Sequence, residues 1–212
     1  MYYDDRFSSK GAGMEKIFII GGMGAGKSTA RRALVDQGLE YIDLDKVGHE
    51  IHSWQVVKDD LVAAFGEDVL DEEGNVNRPV LARKAFKTPA DTRKLNRITL
   101  PRIEDAFTTK LQELEEAGCE AVVVEHTVFK NRAMSMADMA DVIIAVLAPL
   151  DVRIQRAVAA GFDEKDVRRR IAQQITDAER IEKADVVFNN DGTQEELYNK
   201  VVNWWNDYTS SI

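Results

Sequence analysis

Five short apolar runs alternate with stretches of helical periodicity along this chain. The runs lie at 16–20, 39–45, 120–126, 141–148 and 184–190. Continuous Val and Ile in the third and fourth runs are typical of strands buried on both faces of a parallel sheet. Helical patterns follow at 28–38, 151–160, 164–183 and 193–207, the last with Thr193 as its predicted N-cap. The alternation predicts an α/β fold, a five-stranded parallel sheet flanked by helices.

The segment between the second and third strands, 46–118, is too long for a simple crossover helix. Its breaks at 73–75 and at Pro79, Pro89 and Pro101 predict several helices, because each proline suits the first turn of a helix. We therefore expect a single domain over 14–212 with a helical substrate-binding insertion at 46–118. Residues 1–13 show no periodic apolar pattern and are expected to form a flexible leader.

The charge and cysteine content of the chain indicate which classes of partner and which compartment to expect. The formal net charge is −9, with 28 Lys and Arg against 37 Asp and Glu, which disfavours bulk attraction to nucleic acid or to anionic membranes. Cys119 is the single cysteine, so no internal disulfide can form, and Asp4 and Asp5 stand where a signal peptide carries basic residues. We expect a cytoplasmic protein that binds neither nucleic acid nor membrane, so any polyanionic ligand must meet a local basic site.

The glycine-rich segment after the first strand carries the clearest chemistry. Residues 21–28, GGMGAGKS, match the P-loop pattern GxxxxGK[ST] between a predicted strand and a predicted helix. Such a loop wraps phosphates with backbone N–H groups, while its lysine reaches the β- and γ-phosphates and its serine ligates Mg²⁺. The predicted phosphate-binding residues are Gly22, Met23, Gly24, Ala25, Gly26, Lys27, Ser28 and Thr29, with Ser28 as the metal ligand.

A second candidate group is the pair Asp43 and Asp45 at the end of the second strand. One carboxylate could accept a proton from a substrate hydroxyl while the other organises Mg²⁺. The plain alternative is a helix N-cap, because acidic residues often follow strands in that role. We choose Asp45 as the base because it lies at the turn into the next helix.

Basic residues flank a short segment late in the chain, and Asn190 follows the fifth strand. The segment 157–167 could form a lid, whose guanidinium groups would neutralise transferring charge and exclude water. The flanking basic residues are Arg153, Arg156, Arg168, Arg169 and Arg170. Arg156 and Arg170 are the candidates for this role, whereas Arg168 and Arg169 fit a solvated helix face. In a P-loop kinase arrangement the loop at Asn190 lies near the purine, so Asn190 could read the edge of adenine. Trp204 and Trp205 are expected to be packing residues.

Taken together, these segments resemble the dephospho-coenzyme A kinase family of P-loop kinases over 16–203. The matching blocks are GGMGAGKSTA, YIDLDKVGHE, FGEDVLDEEGNVNRPVLARKAF, LNRI with Pro101 and Ile103, RRRIAQQ and ADVVFNNDGTQEEL. The resemblance implies an ATP- and Mg²⁺-dependent transfer of phosphate to the ribose 3′-hydroxyl of dephospho-CoA. It also implies a nucleotide core, a helical substrate domain and a lid.

By position, the resemblance assigns residues 21–29 to the ATP phosphates, Asp43 and Asp45 to hydroxyl activation or Mg²⁺, and Arg156 and Arg170 to the lid. It assigns Asn190 to the adenine side and Arg78 to the acceptor. The chain departs from the family pattern in the acceptor half. Glu125-His126-Thr127-Val128-Phe129 lacks a usual proline and a final acid, Leu100 replaces a usual histidine, and the segment after Arg156 lacks an arginine and an aspartate.

Two alternatives follow from these departures. The first is a P-loop kinase of another nucleoside or nucleotide acceptor. The second is a paralogue that binds ATP without transferring phosphate.

Overall fold

The computed structural model describes residues 13–126 and 136–211, so the predicted leader at 1–13 lies almost wholly outside it, as does the part of the altered block after His126. The chain divides into two compact units, Met1–Ile42 with Leu114–Ile212, and Asp43–Glu113. The insertion predicted at 46–118 covers most of the second unit. Among the described residues, no helix is long and apolar enough to cross a membrane.

A five-stranded sheet forms the centre of the first unit, with the spatial order β2-β3-β1-β4-β5. β1 pairs in parallel with both β3 and β4, and β4 pairs in parallel with β5. The α/β prediction is confirmed. The strands are β1 (Glu15–Gly21), β2 (Glu40–Asp43), β3 (Ala121–Glu125), β4 (Val142–Leu147) and β5 (Val186–Asn189).

Helices α1 (Lys27–Val35) and α9 (Gln194–Thr209) bury their apolar faces in one core with β1, β4 and β5. Thr193 caps α9 in a capping box with Glu196, as predicted. The rings of Trp204 and Tyr208 are stacked with their centroids 5.1 Å apart, and Trp204 contacts Phe188 edge to face. The neighbouring Trp205 packs against the same core. The prediction that both tryptophans are packing residues is confirmed.

The helix predicted at 164–183 is wrong in one respect, since the structure has two helices there. α6 (Leu150–Ala159) is followed by α7 (Glu164–Ala172) and α8 (Asp177–Lys183). Thr176 begins α8 with a capping box, because its hydroxyl accepts from Glu179 N and the Glu179 carboxylate accepts from Thr176 N. The cap provides hydrogen-bond acceptors for the first N–H groups of α8, so it stabilises the start of a new helix after the break at 173–176.

The second unit is helical, with 3₁₀ turns at Ile51–Ser53 and Glu67–Val69. Pro79 and Pro89 lie in first turns, as expected, but the prediction that Pro101 begins a helix is wrong. Pro101 lies inside α5, which buries Thr99 before the proline and Phe107 and Leu111 beyond it, so packing on both sides offsets the lost backbone bond. The helices are α2 (Leu44–Glu50), α3 (Gln55–Phe65), α4 (Arg78–Ala85) and α5 (Pro89–Glu116).

Candidate functional site

The P-loop lies where β1 ends at Gly21 and α1 begins at Lys27. Within it Ala25 N donates to Gly22 O at 3.1 Å, and Thr29 N donates to Gly26 O at 3.0 Å. Gly26 is the N-cap of α1 with a φ of 109°, a left-handed conformation that L side chains rarely adopt. The free N–H groups of a helix start attract anions, so this loop has the backbone of a phosphate site.

Asn190 supports the P-loop from the end of β5. The residue is only 3% exposed. Its Nδ2 donates to Ala25 O at 2.8 Å, and its backbone N donates to Leu147 O. The amide packs so closely on Gly26 that a Cβ there would collide with Nδ2. The bond observed is therefore one to the P-loop, which differs from the predicted contact with adenine.

Lys27 is 8% exposed and faces an acidic residue that the sequence analysis did not select. Its Nζ lies 3.9 Å from Glu125 Oε1, and Glu125 Oε2 accepts from the Tyr41 hydroxyl at 3.2 Å. Glu125 is the last residue of β3, the strand that pairs with β1. The strand order therefore explains why its carboxylate lies close to the P-loop, which follows β1. An acid ending the apolar run next to the P-loop strand was the signal that could have identified it.

Ser28 and Thr29 differ in exposure. Ser28 is exposed at the first turn of α1, whereas Thr29 is buried. A hydroxyl and a carboxylate are hard oxygen ligands of the kind Mg²⁺ prefers, and Mg²⁺ is usually held by one or two of them together with substrate phosphates. Ser28 and Glu125 therefore supply donors of the right chemistry.

Arg153, on α6, is the second residue that the sequence analysis left unassigned. Its side chain is buried, only 4% of the residue is exposed, and Nε donates to Met23 O at 3.0 Å. Burial lowers the pKa of the guanidinium, and the carboxylate of Asp177 opposes this shift. Arg153 therefore brings a buried cation against the P-loop backbone.

The two predicted lid arginines have different surroundings. Arg156 donates to Asn190 O at 3.3 Å and to Gly192 O at 3.1 Å, so it holds the loop between β5 and α9. Arg170 is exposed, and its nearest ion-pair partner is Asp166 at 4.0 Å. Arg168 and Arg169 pair with acids on their own helix, as the solvated-face interpretation predicts.

Asp43 and Asp45 belong to the second unit. Asp43 Oδ1 accepts from Asp45 N at 3.0 Å and Lys46 N at 3.2 Å, so Asp43 is the N-cap of α2. Asp45 is exposed in the first turn of α2. The cap alternative thus describes Asp43, and the carboxylate of Asp45 is the one that faces solvent.

Arg78 begins α4 in the same unit and is exposed. Burial lowers the pKa of His52, and the nearby charges of Arg78 and His49 lower it further. Arg78 has no ion pair among the described residues, so its guanidinium is available to an anion.

His126 and Leu100 are two of the positions at which the sequence departs from the family pattern, and their environments are opposite. His126 follows β3 and is buried, and this burial lowers the pKa of its imidazole to about 4. Leu100 is exposed on α5. The buried, neutral imidazole is a structural element of the first unit, whereas the Leu100 side chain contributes to the surface of the second.

Comparison with known proteins decides the family. The family model CoaE, described as dephospho-CoA kinase, matches residues 16–196. The chain belongs to the dephospho-CoA kinase family. Curated relatives with that name include proteins from Corynebacterium efficiens, 39% identical over 87% of this chain and 92% of theirs, and from Aquifex aeolicus, 34% identical over 92% and 98%.

Solved structures agree on the fold of the family. A crystal structure from Thermus thermophilus matches with a TM-score of 0.78 and 24% identity, over 92% of this chain and 98% of that one. Dephospho-CoA kinase from Campylobacter jejuni matches with a TM-score of 0.62 and 19% identity, over 92% and 97%. Shikimate kinase from Acinetobacter baumannii matches less closely, with a TM-score of 0.51 and 16% identity, over 92% and 94%.

Proposed function

We propose that this protein transfers the γ-phosphoryl group of ATP to the ribose 3′-hydroxyl of dephospho-CoA, giving coenzyme A and ADP. The match of the dephospho-CoA kinase family model over 16–196 is the observation that carries this assignment. The P-loop, with Lys27 buried beside Glu125, supplies the nucleotide half of the chemistry. ATP and dephospho-CoA are the small-molecule substrates, and a cytoplasmic location stays a prediction from composition.

On the nucleotide side, residues 22–29 bind the phosphates through those backbone N–H groups that do not already donate to another protein atom, as the N–H groups of Ala25 and Thr29 do. Lys27 neutralises charge on the transferred group, and Glu125 orients Lys27 through its carboxylate. Ser28 and Glu125, together with the phosphates, would hold Mg²⁺, and the ion would neutralise charge on the phosphate oxygens. Asn190 holds the Ala25 carbonyl and thereby the shape of the loop.

On the acceptor side, Asp45 is the base. The ribose O3′ forms a bond to the γ-phosphorus as the bond from that phosphorus to the β–γ bridging oxygen breaks, and the hydroxyl proton passes to the Asp45 carboxylate. The α2 cap made by Asp43 fixes the first turn that carries Asp45. Arg78 binds an anionic group of the acceptor, and Arg170 is the lid arginine with an exposed guanidinium.

Release of ADP with and without dephospho-CoA tests the assignment. We expect release to depend on dephospho-CoA and to vanish in Lys27→Ala, which should retain the circular dichroism spectrum of the wild type. If other nucleosides or nucleotides support release and dephospho-CoA does not, the acceptor is wrong. If ATP binds and no acceptor supports release, the protein is a non-catalytic nucleotide-binding paralogue.

A further inference from the structure

Both backbone polar groups of Met23 are bound by side chains from outside the P-loop. Met23 N donates to Gln174 Oε1 at 3.1 Å, and Arg153 Nε donates to Met23 O at 3.0 Å. Arg153 Nη2 also donates to Gln174 Oε1 at 3.4 Å, which closes a triangle. We call Met23, Arg153 and Gln174 the Met23 clamp. The Met23 N–H belongs to the peptide before this residue and its C=O to the peptide after it, so neither peptide can rotate without breaking a hydrogen bond.

Arg153 is fixed in turn by its surroundings. The guanidinium packs on Gly22 so closely that a Cβ at that position would collide with Nη2. Arg153 Nη1 lies 3.5 Å from Asp177 Oδ1, which also accepts from the buried Arg180 at 2.5 Å. One carboxylate therefore faces two buried cations, so a net positive charge stands beside the start of the P-loop.

The side chain of Met23 extends the clamp into the α6–α7 pair. It packs against the small apolar cluster of Ile154, Ala157 and Val167, which joins α6 to α7. Gln174 lies in the connection that follows α7. Met23 therefore contacts the α6–α7 pair through its side chain. Its backbone is hydrogen-bonded to Arg153, in the first turn of α6, and to Gln174, just after α7.

We propose that the Met23 clamp couples phosphate binding in the P-loop to the position of the α6–α7 pair, with Gln174 as the positioning residue. Because Arg156 and Arg170 lie on this pair, the clamp sets where they stand when nucleotide is bound. The proposal rests on the proposed function for the identity of the nucleotide. Coupling between two sites is reciprocal. A substitution that breaks the clamp and reduces the effect of nucleotide on the α6–α7 pair must therefore weaken nucleotide binding by the same factor.

Hydrogen exchange with and without ADP tests the clamp in the full-length protein. In the wild type we expect ADP to slow exchange in the peptide covering Glu164–Ala172. Gln174→Leu removes the shared acceptor at similar volume. We expect this slowing to fall, and the Kd for ADP to rise, each by about fivefold, the effect of one lost hydrogen bond.

Gln173→Leu is the matched control, because Gln173 is an exposed neighbour whose side chain forms no hydrogen bond with any residue in 13–126 or 136–211. It should leave both readouts unchanged. Met23→Ala keeps the backbone bonds and removes the apolar contact, so it should also reduce the ADP effect on α7, and it replaces Gln174→Leu if that variant does not fold. The clamp is refuted if ADP slows α7 exchange equally in Gln174→Leu and the wild type, or if Gln173→Leu shows the same loss.

Failure of the proposed function gives a different result. If the wild type binds no ADP, the kinase assignment fails, and the clamp is judged on the nucleotide-free protein. There Gln174→Leu should speed exchange of the Met23 amide by about fivefold relative to Gln173→Leu, because its acceptor is lost. Equal exchange of that amide in the two variants would overturn the clamp.

Discussion

Replacement of Asn190 separates two roles that the sequence and the structure give this residue. Asn190→Ala removes the donor to Ala25 O and leaves space at a site that is only 3% exposed. A lost buried hydrogen bond costs about 1 kcal/mol, and an unpaired buried carbonyl raises the cost to about 1–3 kcal/mol. Asn190 Oδ1 is itself buried and has no hydrogen-bond partner in the part of the chain that the structure describes, so its removal offsets part of this loss.

Thermal unfolding without nucleotide is the assay. For a domain of this size about 1 kcal/mol lowers Tm by about 2–4 °C, so a net loss of about 1–2 kcal/mol after this offset should lower Tm by about 2–8 °C. Asn189→Ala is the matched control, because Asn189 is exposed at the end of the same strand. If Asn190 instead reads adenine and nothing else, Asn190→Ala will keep the Tm of the wild type and lose the preference for ATP over GTP. That outcome would refute support of the P-loop by Asn190.

Three further predictions concern the acids and the buried histidine. Asp45→Asn should lower kcat by at least about a hundredfold with nearly unchanged ATP affinity, and a larger kcat loss in Asp43→Asn would mean that the two roles are exchanged. Glu125→Gln keeps the acceptor for Tyr41 but removes the charge beside Lys27, so kcat should fall by about tenfold and the Mg²⁺ requirement should rise; an unchanged Mg²⁺ titration would contradict this. Because the folded pKa of His126 lies at about 4, below its usual 6.5, the unfolded chain binds the proton first and stability is lost as pH falls from 6.5 towards 4. Urea unfolding should show about 2 kcal/mol less stability at pH 5 than at pH 7, and His126→Asn should show a smaller difference.

The strands were predictable because each is a separate apolar run bounded by polar residues. Two features needed three-dimensional information. The break between α7 and α8 depends on the reciprocal cap of Thr176 and Glu179, which a long helical pattern conceals. Pro101 stays inside α5 because buried residues on both sides hold the helix, and a local rule for proline does not include tertiary packing.

The candidate site also combines residues that the sequence predicts with residues that only tertiary contacts bring together. The P-loop was predictable, because its glycines and Lys27 have fixed spacing in the sequence. Glu125, Arg153 and Gln174 are far apart in sequence from the P-loop, and they meet it only because the sheet order brings β3 and β4 to either side of β1. Long-range hydrogen bonds of this kind, such as that from Met23 to Gln174, leave no periodic signal in the sequence.

The position of the new phosphate in the product tests the proposed phosphorylation of the ribose 3′-hydroxyl most directly. Wild-type protein is incubated with ATP, Mg²⁺ and dephospho-CoA, and the nucleotide product is analysed by ³¹P and ¹H nuclear magnetic resonance. We expect one new monoester phosphorus signal coupled to the ribose 3′ proton, in an amount equal to the ADP released. A phosphate on another hydroxyl, or ADP release with no phosphorylated acceptor, would contradict it.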